Sequence, residues 1–402
     1  MTPYYAVWEI TLGCDLACLH CGSRAGRRRP GEMTTEQALS VARQLADLGV
    51  QEVSLIGGEV YLRPDWDRIV QALADRNIRT SIVTGGRGFT RERARRAREA
   101  GAYLVGVSVD GLEKTHDWLR GVPGSFRQAV EAMDNVRAEG MLLSANTQVN
   151  RKNLQELDDL LTLLLQKGIQ GWQVQITAAL GRAADHADIL FQPYDVLEFV
   201  PKLAEMKVRC RKAGVDLAPG NNVGYFGPYE SILRSWDGRR LHWEGCGAAC
   251  STIGIEADGT LKGCPSLPTQ AYAAGSLKHS PARALWENSP QLAKLRGMAP
   301  EDLWGFCRTC YYADVCRGGC TFTAHALLGR PGNQPYCYHR ADELRKRGIR
   351  EILAPVQAAP GAPFDHGIFE IKEETLPESE GGELSAGKGS QFQESEIHGS
   401  RT

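Results

Sequence analysis

Three cysteines within eight residues, Cys14-x3-Cys18-x2-Cys21, follow directly on the mostly apolar run 5–12. Thiolates so close, in a loop that leaves a strand, can hold three corners of one iron–sulfur cube. The fourth iron then has no protein ligand. An iron with an open position is a place where a small molecule can bind and receive an electron, whereas a cube closed by four cysteines relays electrons or braces a fold. The residues alone also fit a zinc knuckle or a few buried thiols, since cysteine is often a small buried hydrophobe. Against zinc stands the spacing: structural zinc usually takes paired C-x2-C or Cys/His ligands, and no fourth cysteine appears before Cys210.

The other cysteines divide informatively. Of twelve, three are in the opening motif, eight lie between Cys246 and Cys337, and Cys210 stands apart in a helical run. Eight thiols, spaced Cys246-x3-Cys250-x13-Cys264 and then Cys307-x2-Cys310-x5-Cys316-x3-Cys320 with Cys337, can close two further four-iron cubes. The C-x2-C-x5-C portion also fits half of a zinc ribbon. Cys210 reads as a plain thiol. A formal net charge of −1 gives no global reason to expect nucleic acid or an anionic membrane as partner. There is no run of eighteen apolar residues and no basic-then-apolar leader, so the expected location is the cytoplasm, where clustered thiols serve metal or redox sites.

From residue 4 to about 181, short β-branched runs alternate with amphipathic stretches, the pattern of βα units around a parallel sheet. Strands are expected at 7–11, 52–56, 80–84, 103–109, 142–149 and 171–177, and helices at 35–48, 65–76, 90–100, 125–139 and 153–167. A further helix is expected at 192–213. In parallel barrels the chemistry sits at the carboxyl ends of the strands, where the βα loops converge. Gly57-Gly58-Glu59 follows the second strand, and its glycines permit close backbone approach to a ligand. Ser108-Val-Asp110-Gly111 and His116-Asp-Trp-Leu-Arg120-Gly follow the fourth. Read by themselves, Asp110 also fits a helix cap and Arg120 a surface ion pair. The arginine-rich run 87–98 fits a solvated, ion-paired helix face, because Glu92 and Glu99 stand at helical spacing and no aromatics interleave it.

The stretch 214–241, rich in Gly, Pro and Asn, reads as a linker over the barrel mouth; it offers Asn221, Asn222, Tyr225 and Tyr229 without assigning them a role. Asp258-Gly259 within 254–262 reads as a type I′ hairpin turn that returns Cys264 toward Cys246 and Cys250. Beyond about residue 353 the chain turns to Ala, Pro, Gly, Ser and Glu, which predicts disorder, with one apolar patch at 364–371 able to dock as a strand or helix.

C-x3-C-x2-C after a first strand, with His20 before the last cysteine, resembles the radical S-adenosylmethionine (SAM) enzymes. The resemblance implies an α/β partial (β/α)6 TIM-type barrel. It implies an open four-iron cluster on Cys14, Cys18 and Cys21, whose free iron is chelated by the methionyl group of SAM, and reductive cleavage to a 5′-deoxyadenosyl radical that abstracts hydrogen. Gly57, Gly58 and Glu59 resemble the family's GGE motif at the SAM amine, with Val60 in place of the usual proline. Ser108, Asp110 and Arg120 resemble its S-x-D-G and HD-x-x-R-G segments, Ser108 and Arg120 being suited to the methionyl carboxylate. Asn146 and Gly181 fall where relatives contact ribose and adenine.

The later cysteines resemble the SPASM extension of peptide maturases. By that resemblance Cys246, Cys250, Cys264 and Cys320 hold an inner auxiliary cluster, and Cys307, Cys310, Cys316 and Cys337 an outer one. The implied organisation is a barrel over 1–213, a linker over 214–241, a SPASM domain over 242–345, and a largely disordered tail over 346–402, with three 4Fe-4S clusters and SAM as cofactors. Relatives with this extension act mainly on ribosomally made peptides. The expected activity is therefore an oxidative peptide modification with a precursor peptide as substrate and flavodoxin or ferredoxin as reductant. Because the barrel begins near residue 4, peptide recognition is expected to fall to a separate protein or to direct grip by the linker and tail. Two other readings are a dehydrogenase of a small alcohol or sugar, and an iron–sulfur electron carrier without catalysis.

Overall fold

A computed structural model describes residues 2–235 and 241–376. The chain opens with β1 (Tyr5–Glu9), then α1 (Thr35–Leu48), β2 (Glu52–Ile56), α2 (Trp66–Ala74), β3 (Arg79–Thr84), α3 (Arg91–Glu99) and β4 (Ala102–Ser108). Two helices follow, α4 (Glu113–Arg120) and α5 (Ser125–Ala138), then β5 (Leu142–Val149), α6 (Leu157–Gln166), β6 (Gly171–Ile176), α7 (Val196–Lys212) and β7 (Asp216–Pro219). The first helix shows why the units form. Thr34 and Gln37 make a capping box at its start, Gly49 ends it at φ 93°, and Ala38, Val41, Ala42, Leu45 and Leu48 bury one face. That face packs into the same core as Ala6 and Trp8 of β1. Val7 and Glu9, alternating with them, therefore point to the other side of the sheet.

The strands β1 to β7 run parallel in chain order, the arrangement expected for βα units. The sheet then continues past β1. The strand β8 (Thr252–Ile255) pairs parallel to β1, and β9 (Thr260–Lys262) and β10 (Gly275–Ser276) follow antiparallel, giving ten strands in the order β10-β9-β8-β1-β2-β3-β4-β5-β6-β7. Its two ends do not pair with each other among the described residues, so the barrel is partial. Two features differ from the sequence reading. The supposed linker supplies β7 at the sheet edge, paired with β6 from Gly171↔Asp216 onward. The turn at Asp258-Gly259 is not type I′, because only Gly259 is left-handed (φ 89°) while Asp258 caps the turn by accepting from Thr260 N at 3.0 Å.

The cysteine-rich region is mostly short helices, ending in α8 (Thr321–Leu328) and α9 (Tyr338–Lys346). The tail corrects the expectation of disorder from residue 346. Strands β11 (Ile349–Gln357) and β12 (Ile368–Thr375) form an antiparallel hairpin, with Leu353 and Phe369 buried. Alternating apolar residues on two strands supplied the burial that composition alone hid. The apolar patch at 364–371 thus contributes a strand, and residues 377–402 lie outside the described ones.

Candidate active site

The Cys14–Cys21 loop leaves β1 and is held on three sides by backbone. Gly58 N donates to Thr11 O and Glu59 N to Gly13 O, each at 2.7 Å. A Cβ on Gly58 would stand 2.1 Å from Gly13 O, and one on Gly57 2.4 Å from Thr11 O. The two glycines therefore admit the stem of the cysteine loop itself. On the opposite side, Gly181 (φ 59°) lies where a Cβ would come 2.4 Å from Cys21 O, and Arg182 donates to Cys18 O at 2.7 Å and Ala25 O at 3.0 Å. Beneath, Ala17 N and Leu19 N donate to Arg120 O and Leu119 O of α4. Arg87 and Tyr61 reach the loop at Asp15, through its carbonyl and its carboxylate.

All three thiols are free and accept hydrogen bonds: Leu16 N to Cys14 Sγ at 3.4 Å, Ala25 N to Cys21 Sγ at 3.3 Å, and Arg120 Nη1 to Cys18 Sγ at 3.7 Å. Such donors suit thiolates more than thiols. Burial pushes the Cys18 thiol up to about 11 despite the Arg120 charge, and raises Cys14, with the neighbouring cysteines adding repulsion. Three clustered free thiols with N–H groups aimed at their sulfurs are a donor set suited to a cation such as an iron cluster. Cys14 Sγ, Asp15 and Glu59 also lie within 4.8 Å of one another.

Glu59 is buried and accepts from Thr84 Oγ1 and Gly85 N, both at 2.6 Å; burial pushes its carboxyl up to about 7 against those donors. Asp110 is fully buried at the end of β4. Burial alone would raise its carboxyl, but Arg120 at 2.6 Å and His20 at 3.0 Å hold it well below the usual carboxylate range. Asp110 also accepts from Gln148 N of β5 at 2.9 Å, and through Arg120 it orients α4, whose cap position is Leu112. Arg120 is thus a buried bridge between Asp110 and Cys18 and not a surface pair. Ser108 pairs in register with Asn146, and Asn146 with Gln173, so the three share one face of the sheet. Among the described residues the buried Asn146 Nδ2 has no hydrogen-bond partner, and neither do Arg120 Nε and His20 Nδ1.

The other cysteines gather in two groups. Burial pushes Cys264 up to about 11 and Cys320 up to about 12, and raises Cys250; Cys246 adds like-charge repulsion to all three. Burial likewise raises Cys307, Cys316 and Cys337, the last to about 12, and each also feels Cys310. The hairpin β8–β9 and the start of α8 bring the first group together; the start of α9 delivers Cys337 to the second. Between them stands Tyr225, fully buried, whose hydroxyl accepts from Cys320 N at 3.2 Å and whose carbonyl lies 3.8 Å from Cys337 Sγ. The sequence offered Tyr225 without a role, and nothing in it marked Arg182 or Arg87 as holding the cysteine loop. Cys210 is buried in α7, in the hydrophobic core. The arginine-rich helix α3 is ion-paired as expected, Arg95 with Glu92 and Glu99, and Arg96 with Asp67.

The description "Radical SAM superfamily" matches residues 8–164. AdoMet-dependent heme synthase of Methanosarcina barkeri is 29% identical over 361 residues, which are 84% of this chain and 97% of that protein. Mycofactocin maturase MftC of Mycobacterium tuberculosis H37Rv is 30% identical over 365 residues, 88% of this chain and 87% of that one. Among solved structures, Streptococcus suis SuiB bound to S-adenosylmethionine superimposes with a TM-score of 0.64 at 17% identity, covering 80% of this chain and 73% of that one. Native anSMEcpe with bound AdoMet gives 0.67 at 17% identity, covering 85% and 95%. These two share its fold. Among the described residues no helix is long and apolar enough to cross a membrane. With a relative at 30% identity matched along most of both chains, this protein belongs to the radical SAM superfamily.

Proposed function

We propose that this enzyme is a peptide maturase that removes hydrogen from a ribosomally made precursor peptide and disposes of the resulting electron through two auxiliary iron–sulfur clusters. The observation that carries the reading is the sorting of eight free thiols into two sets of four beside the barrel sheet. Cys246, Cys250, Cys264 and Cys320 would hold one SPASM-type cluster, and Cys307, Cys310, Cys316 and Cys337 the other. The names of two relatives, a mycofactocin maturase and a SuiB crystallised with precursor peptide SuiA, support a peptide substrate.

When bound, the cluster on Cys14, Cys18 and Cys21 supplies the electron that splits the sulfonium of SAM and so yields a hydrogen-abstracting radical. The chain's own part is to hold and orient. Glu59, kept in place by Thr84 and Gly85, offers a carboxylate for the methionyl ammonium. Arg120, aimed at Cys18 and steadied by Asp110, offers a guanidinium for the methionyl carboxylate, and Ser108 a hydroxyl from the end of β4. Asn146 presents an unpartnered amide to the ribose face, and Gly181 lets the adenine-side turn press on the cysteine loop. An external flavodoxin or ferredoxin supplies electrons.

The test is an anaerobic reaction of reconstituted protein with SAM, dithionite and candidate precursors. The expected products are 5′-deoxyadenosine and a peptide about two daltons lighter. SAM cleavage that no peptide accelerates, with peptide mass unchanged, would refute the reading. The likeness to a heme synthase over 97% of that protein favours a second reading, in which the substrate is a small molecule. Stimulation of 5′-deoxyadenosine formation by small molecules in the absence of peptide would select it.

A further inference from the structure

The loop between β11 and β12, residues 358–367, places Phe364 beside the cysteine loop. Phe364 N donates to Gly22 O at 3.2 Å, and the next residue's carbonyl accepts from Gly181 N at 2.7 Å. The ring is buried against Leu180 and Ala326. The ammonium of Lys262 stands 3.9 Å from the ring centroid, and the Arg29 guanidinium 5.9 Å. Lys262 is fully buried and paired with Glu256 at 2.7 Å, which also binds Arg29 at 2.5 Å; Glu9, whose carboxyl burial pushes up to about 8, lies beside them. Lys262 is two residues from Cys264, so the ring lies between the first cysteine loop and a member of the second cysteine group.

A desolvated cation over an aromatic face is among the stronger side-chain contacts and selects a ring over an aliphatic group. Yet the residue that supplies the ring is poorly suited to its backbone. Phe364 has φ 57°, a left-handed conformation that bulky residues rarely adopt and that clusters at functional sites. Its loop belongs to a separate two-stranded hairpin, outside the ten-stranded sheet. Besides the two backbone bonds, the loop is tied near the site by Asp365 to Arg24 at 2.7 Å, a guanidinium that Asp185 shares at 2.6 Å, and by the His366 ring standing edge-on to His325 at 4.9 Å.

We propose that the cradle of Lys262, Arg29, Leu180 and Ala326 is a substrate subsite for an aromatic side chain, and that Phe364 fills it until substrate displaces the loop. This rests on the peptide reading above and adds to it the residue class presented near the cysteine loop. Arg24 then has Asp185 as its remaining partner when Asp365 withdraws.

The test uses the full-length, anaerobically prepared holoenzyme and two probes, N-acetyl-phenylalaninamide and N-acetyl-leucinamide, with hydrogen exchange of residues 358–367 as readout. The phenylalanine probe is expected to speed exchange of the Phe364 and Ala362 amides about tenfold, and the leucine probe to leave them unchanged. Phe364→Gly, which removes the internal competitor, is expected to bind the phenylalanine probe about tenfold more tightly than the wild type. Equal acceleration by both probes, or no acceleration by either, would overturn the proposal without recourse to the variant. If the probe displaces the loop but no peptide is ever modified, the subsite stands and the maturase reading fails. A peptide that is modified with no preference for an aromatic residue overturns the subsite and leaves the maturase reading intact.

Discussion

Gly58→Ala is expected to disable the first cysteine loop while sparing the rest of the molecule. The added methyl would lie 2.1 Å from Gly13 O and 2.5 Å from Gly13 C, both backbone atoms with no rotamer to change. That is about 1 Å or more inside ordinary contact, so the stem of the loop must move. Movement breaks the 2.7 Å bonds from Gly58 N and Glu59 N. Overpacking costs about 1–3 kcal/mol and each lost backbone bond about 1 kcal/mol, together roughly 3–5 kcal/mol, or about two to nearly four powers of ten in the population of the native loop. Gly26→Ala is the control, since its methyl would meet nothing within 4 Å although Gly26 also bonds to this loop through Leu12 O. Both variants would be reconstituted anaerobically and compared for iron content, the electron paramagnetic resonance of the reduced cluster, and SAM cleavage. Gly58→Ala should lose the first cluster's signal and cleave SAM at most about a hundredth as fast, while Gly26→Ala stays near wild type. If the two variants behave alike, the packing argument is wrong.

Cys18→Ala should abolish SAM cleavage and lower iron from about twelve to about eight per chain, whereas Cys210→Ala should leave the iron count unchanged. Arg182→Met removes the donors to Cys18 O and Ala25 O and should cost about 1–3 kcal/mol in the stability of the cysteine loop, read as faster loss of iron to a chelator. Burial lowers the Lys207 ammonium to about 8 from an ordinary 10.5, even though it donates to Leu233 O at 2.7 Å. Between those values the unfolded chain binds more protons than the folded one, so this group makes stability rise with pH from 8 to 10.5. Lys207→Met should flatten that part of a denaturation-versus-pH curve; an unchanged slope would show that another group sets it.

Much of the site was legible because its signals are local. The spacing of Cys14, Cys18 and Cys21, the Gly57-Gly58-Glu59 turn and the βα alternation each depend on neighbours in the chain, and the strand at Glu52–Ile56 and the helix at Thr35–Leu48 form where the pattern placed them. The reason for the two glycines was not local. It required knowing that Thr11 and Gly13 cross them, a contact between residues more than forty apart. The same holds for Arg120, whose surroundings of Asp110, His20 and Cys18 come from two separate loops.

What sequence alone determined here is the class of chemistry: thiol spacing limits what metal can be held, and apolar periodicity limits what sheet can form. Tertiary structure decided how the cysteine-rich region joins the barrel, through β8 lying parallel to β1, and how the tail returns to seat Phe364 beside Gly22. Pairing between distant strands has no signature in either strand, because parallel neighbours are chosen by which apolar faces can be buried together after the whole chain has collapsed. The tail departs from its composition for the same reason: a chain poor in apolar residues cannot bury a core alone, yet a hairpin needs only Leu353 and Phe369 once a folded surface is there to receive them.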